Sequence, residues 1–154
     1  MGTDPGIASS LPLLLQSGIF IALLVLASIW DIRKRIIPDI LCLCIALSSL
    51  TVFNHINLFG ILISLPLLFA ALLWGGMGGG DIKLMAAAGL VLGFHRGMAA
   101  MVIGLTALLL FHAFYAITQK LRGRAVPKAY PLAPFLSLGC MAAYFISFKG
   151  GIPL

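Results

Sequence analysis

Four aspartates and no glutamate form the whole acidic complement of this 154-residue chain. Asp4 sits in the first few residues, which leaves Asp31, Asp39 and Asp81 as candidates for acid–base chemistry. Two carboxylates held close together cannot both ionise easily and so share a proton. One then acts as a base toward water while the other acts as an acid toward a carbonyl oxygen, which hydrolyses an amide without a metal. Such a pair must come from different segments; Asp31 and Asp81 supply it, with Asp39 as an alternative member. Gly78, Gly79 and Gly80 run directly into Asp81. A stretch without side chains permits unusual backbone angles and close approach of an extended peptide. A plain interhelical turn followed by an aspartate that the helix dipole favours has the same spelling. Cys42, Cys44 and Cys140 lie within apolar segments and are too few for a four-thiolate zinc site or a disulfide framework, so neither a metal nor a cofactor is expected.

The elements that must position these residues are apolar throughout. Hydrophobic residues make up 62% of the chain, charged ones 9%, and the mean hydropathy is +1.15. A soluble domain of this length cannot hide so much apolar surface. Six apolar segments stand out at Leu13–Trp30, Ile40–Phe53, Leu58–Trp74, Leu84–Phe94, Met98–Ile117 and Leu132–Phe148. About 20 helical residues cross the roughly 30 Å of bilayer hydrocarbon. By that measure the first, fifth and sixth are comfortable, the third is adequate, and the second and fourth are short. The short fourth segment predicts a tilted or sunken helix, or one bordered by a watery recess. The segments are too long and continuous for alternating barrel strands, so the expected fold is an all-α polytopic bundle of about six transmembrane helices.

Basic residues orient that bundle. The net charge of +6 comes from short clusters between apolar segments, not from one continuous face, so a membrane explains it better than a nucleic acid. Arg33, Lys34, Arg35, Lys83, Lys120, Arg122, Arg124 and Lys128 fall on one side, against only Arg96 and Lys149 on the other. The rule that positive loops stay inside then puts both termini outside and all three candidate aspartates at the cytoplasmic edge. Carboxylates at that depth are costly unless paired, hydrated or functional. Residues 1–12 carry no basic residue before the first apolar run and read as a leader, part of it (Met1–Gly6) compatible with an expression scar. Residues 13–154 read as a single transmembrane domain, with Trp30, Trp74 and Tyr130 as aromatic anchors at the inner interface.

Three stretches resemble the signatures of the type IV prepilin peptidase family. Asp31-Ile32-Arg33-Lys34-Arg35-Ile36-Ile37-Pro38-Asp39 is similar to the family's first motif, an aspartate ending a span, a basic turn and an Ile-Pro-Asn/Asp element. Gly78-Gly79-Gly80-Asp81-Ile82-Lys83 resembles its Gly-x-Gly-Asp-x-Lys motif, and Tyr130–Gly139 resembles the Pro-Phe-Leu-x-x-Gly opening of its last helix. The resemblance implies an aspartyl endopeptidase of the inner (plasma) membrane. Its substrate would be a prepilin-like protein whose short basic leader is removed at the cytoplasmic face. It also implies that Asp31 and Asp81 are the catalytic pair and that Asp39 supports or caps, with Pro38, Gly78, Gly80 and Lys83 in supporting or substrate-positioning roles. Lys83 would screen or orient Asp81, or anchor its span by snorkelling. The larger members of the family carry a cysteine-paired insertion and methylate the new pilin N-terminus. This chain resembles the short, peptidase-only branch, similar to tight-adherence (Flp) or preflagellin peptidases. Membrane lipid and the substrate are the expected partners, and nucleic acid is not. Two alternatives are an intramembrane-cleaving aspartyl protease, whose Tyr-Asp partner motif is absent because Asp31 follows Trp30, and a small ion-coupled transporter component, whose acidic residues would lie nearer the midplane.

Overall fold

The computed structural model describes residues 5–52, 55–74, 78–121 and 131–149. Among the described residues there are six α-helices and no strand: α1 (Pro5–Lys34), α2 (Asp39–Ser48), α3 (Ser64–Trp74), α4 (Gly79–Leu92), α5 (Phe94–Leu121) and α6 (Ala133–Lys149). A 3₁₀ turn, Ser49–Val52, continues α2, and a longer 3₁₀ stretch, His55–Ile63, leads into α3. Each apolar segment of the sequence thus contains one α-helix. Gly75–Met77 of the glycine run, Arg122, Arg124, Lys128, Tyr130 and the leader residues Met1–Asp4 lie outside the described residues.

Two helices, Leu14–Lys34 and Phe94–Lys120, are long and apolar enough to cross a membrane. The sixth, expected to span comfortably, has 17 residues, as many as its apolar segment Leu132–Phe148, and falls short of about 20. The second and fourth are short as expected, at 10 and 14 residues. The outer surface is apolar. Leu72, Ile40 and Phe114 are each more than 70% exposed, an arrangement that suits lipid and not water.

The short α4 is the centre of the bundle. Its Leu84, Met85, Ala87, Ala88, Gly89, Val91 and Leu92 are all buried. The His55–Ile63 stretch, α2, α3, α5 and α6 all pack against it. At 14 residues it is shorter than either helix long enough to cross a membrane. Close packing depends on absent side chains. A Cβ on Gly60 would overlap the carbonyl of Gly89, and one on Gly89 would overlap that of Gly60. Gly104 and Gly139 bring α5 and α6 together in the same way, since a Cβ on Gly104 would stand 2.9 Å from the Phe135 carbonyl oxygen. Gly93 makes the turn from α4 to α5 at φ 76° and ψ 171°, a conformation that a side chain rarely adopts. Deeper in the bundle, Gln16 donates to the Ser48 carbonyl at 3.2 Å and ties α1 to the end of α2.

The crossing at Gly60 and Gly89 is backbone on backbone, so no rotamer change can relieve an added methyl. Gly89→Ala is expected to destabilise the bundle by about 1–3 kcal/mol. A lowered thermal midpoint of the purified protein in detergent checks this, and an unchanged midpoint would contradict it.

Candidate active site

The α1 helix ends where its chemistry begins. Arg35 takes a left-handed conformation at φ 53°, and its N–H donates to the Asp31 carbonyl at 2.8 Å, closing the last turn in the manner usual for glycine. A side chain in that region costs about 1 kcal/mol. The chain then runs extended, and Pro38 at φ −62° and ψ 133° holds the N-cap position of α2. That short return buries Ile37 against the start of α4: a Cβ on Gly80 would lie 3.0 Å from the Ile37 Cβ. Gly78 is equally confined, since a Cβ there would stand 3.2 Å from Asp81 Oδ2. At φ −67° and ψ 129° Gly78 has backbone angles open to any residue. The expectation of unusual angles is therefore corrected for the described glycines of the run. At Gly78 and Gly80 the role is room, not conformational freedom, whereas a Cβ on Gly79 would meet open space.

These turns open a recess of about 290 Å³, lined by Asp31, Arg35, Ile36, Ile37, Asp39, Gly78, Gly79, Gly80, Asp81 and Lys83. Asp31, in the last turn of α1, and Asp81, in the first turn of α4, are both buried, at 6% and 8% exposure. Asp39 and Lys83 stand at the exposed rim and bind each other, with Lys83 Nζ 2.8 Å and 2.9 Å from the two carboxylate oxygens. This pair links the first residue of α2 to the second turn of α4. The bonds that Lys83 makes here go to Asp39. Asp39 is the first residue of α2 and follows the N-cap, so the capping role is corrected to an ion pair. Being solvent-exposed, the pair adds little to stability.

The two buried carboxylates differ in their partners. Asp31 Oδ2 accepts the backbone N–H of Ala133, the first residue of α6, at 3.1 Å. Asp81 Oδ1 is buried and makes no hydrogen bond. Asp81 precedes the apolar part of its helix. Burial, and then the facing charge of Asp31, raise its pKa from 3.8 to about 7. Asp81 therefore keeps a proton to near neutrality, the state in which a carboxyl can donate. Among the described residues no cluster of His, Cys, Asp or Glu is arranged to hold a metal ion.

The model of the type IV leader peptidase family matches residues 18–146, which include the whole recess. The chain belongs to that family. A curated relative, the prepilin leader peptidase/N-methyltransferase of Bacillus subtilis (strain 168), is 32% identical over 136 residues. That match covers 82% of this chain and 53% of the relative, so the chain spans about half the length of the relative it matches. No solved structure matches the chain significantly.

Of the residues singled out in the sequence, Asp31, Asp39, Gly78, Gly80, Asp81 and Lys83 all line the recess, and Pro38 holds the turn beside it. The sequence reading missed Arg35, Ile36 and Ile37 as lining residues, though all three lie inside the stretch that carried the resemblance. It also missed the Ala133 amide. The Tyr130–Gly139 stretch pointed to the right helix, but a backbone donor leaves no mark in residue types.

The raised Asp81 pKa has a consequence for stability. The folded state binds this proton more tightly than the unfolded chain, so the stability present below pH about 4 is lost as pH rises toward about 7. Asp81→Asn should remove that loss and raise the thermal midpoint at pH about 8 while changing it little at pH about 4. Equal effects at both pH values would contradict the assignment.

Proposed function

We propose that the chain is a membrane aspartyl endopeptidase that removes the short basic leader of prepilin-like substrates at the cytoplasmic face, with Asp31 and Asp81 activating water. The observation that carries this reading is the convergence of two buried carboxylates from different helices in one recess, in a chain that belongs to the type IV leader peptidase family. The proposed topology has six spans, both termini outside and one domain over residues 13–154. It rests on the split of basic residues and the apolar exterior.

Asp31 is the base and Asp81 the acid. With Oδ2 engaged by the Ala133 amide, Asp31 uses its other oxygen to take a proton from water as the hydroxyl attacks the scissile carbonyl carbon. Asp81 gives its proton to the carbonyl oxygen, and a neutral gem-diol forms. Asp31 then passes its new proton to the amide nitrogen as the C–N bond breaks, while Asp81 recovers a proton from the diol hydroxyl. Both carboxyls return to their starting states. The orphaned Asp81 Oδ1 is a polar atom whose cost is offset only when a substrate arrives. The substrate's apolar helix remains in lipid beside the bundle, and its leader junction reaches the recess from the polar side. Leader removal without methylation is part of the proposal. It rests on the resemblance to the short branch and on Cys42, Cys44 and Cys140 being free thiols within α2 and α6.

Co-expression with a matching prepilin tests this. Asp31→Asn and Asp81→Asn should each lower leader removal by about 10³-fold or more, whereas Asp39→Asn, altered only at the rim, should retain most of the activity. The processed product should carry the mass of an unmethylated N-terminus. Full processing by either of the first two variants would overturn the assignment.

A further inference from the structure

The contact between α6 and Asp31 joins residues 102 positions apart and is buried. A helix N-terminus carries unpaired N–H groups and partial positive charge, and here one of those groups is aimed at a carboxylate. The start of α6 is also held in register. Ser137, buried at 3% exposure, shares its hydroxyl between the Ala133 carbonyl at 2.8 Å and the Leu24 carbonyl of α1 at 3.3 Å. Leu24 lies two turns from Asp31 on the same helix, so one end of α6 is fixed to α1 at two levels. Ala133 itself is fully buried, which keeps water from competing for the same oxygen.

We propose that the Ala133 backbone amide is a positioning group for the reaction: it fixes the Asp31 carboxylate at the recess and keeps one of its oxygens occupied, so that only the other takes the proton from water. Ser137 acts through this amide by setting the register of α6. The proposal rests on the assignment of Asp31 as the base and deepens it. It also accounts for why a backbone position, not a side chain, completes the site.

Position 133 is the first turn of α6, where proline is tolerated because its N–H has no helical partner to lose. Ala133→Pro therefore removes the donor and keeps a helical φ. A second variant keeps the methyl side chain and replaces the amide by an ester, with lactic acid incorporated at position 133 in the full-length protein in lipid. The readout is the pH profile of kcat/KM with kcat and KM resolved separately. Both variants should move the acidic limb upward by roughly one pH unit and lower kcat by roughly tenfold, with KM nearly unchanged. The ester decides the matter if the proline variant does not accumulate in the membrane. A folded variant with the limb and kcat of the unmodified protein would overturn the proposal, whatever the outcome for Asp31→Asn. Retained processing by Asp31→Asn would instead sink the assignment of the base and leave the amide without a catalytic role.

Discussion

The helix that carries Asp81 is about 21 Å long at 1.5 Å per residue and is enclosed by its neighbours. Much of the remaining structure follows from that enclosure. The glycine contacts at Gly60 and Gly89 let the preceding 3₁₀ stretch approach α4 closely. The return segment after Arg35 buries Ile37 against Gly80. The start of α6 closes the recess from behind by binding Asp31. A carboxyl at the mouth of this enclosure is desolvated by protein, and it faces a second carboxyl from α1.

The proposed chemistry depends on an inequality between two like residues. Asp31 has an amide partner and Asp81 Oδ1 has none. Burial makes the difference matter, because an unpaired charge in a protein interior is expensive and the proton is retained instead. The third aspartate shows the contrast. Asp39 is bound at the exposed rim to Lys83, which stands two residues along α4 from the buried Asp81. A carboxylate in water with its own counter-ion has no reason to share a proton.

Much of this was legible in the sequence. The six apolar segments correspond one for one to α-helices because hydrophobic runs bounded by Gly, Pro and charge leave little choice of element. The gathering of Asp31, Asp39 and Asp81 followed from their places at the ends of alternating segments. What could not be read was everything set by approach between backbones. The glycines before Asp81 looked like a source of unusual angles, yet the two that bound the described part of the run, Gly78 and Gly80, are constrained by what stands beside them. Lys83 was read as screening or orienting Asp81 or as a snorkelling anchor, and its ion pair with Asp39 across the α2–α4 contact was not legible, because Asp39 lies 44 positions away in the chain. The Ala133 donor belongs to no side chain. The length of α6 was legible: its 17 residues equal those of the apolar segment Leu132–Phe148 and are offset from it by one position.

The central claim is that Asp31 and Asp81 form one proton-sharing pair before any substrate binds. Infrared difference spectroscopy of the protein in lipid, titrated through neutral pH, tests it most directly by following the carbonyl stretch of protonated carboxyls. The account predicts one such band persisting at pH about 6, absent in Asp81→Asn, and lost at lower pH in Asp31→Asn than in the unmodified protein because the facing charge is gone. Complete ionisation of the unmodified protein at that pH, or an Asp81 band indifferent to Asp31→Asn, would contradict it.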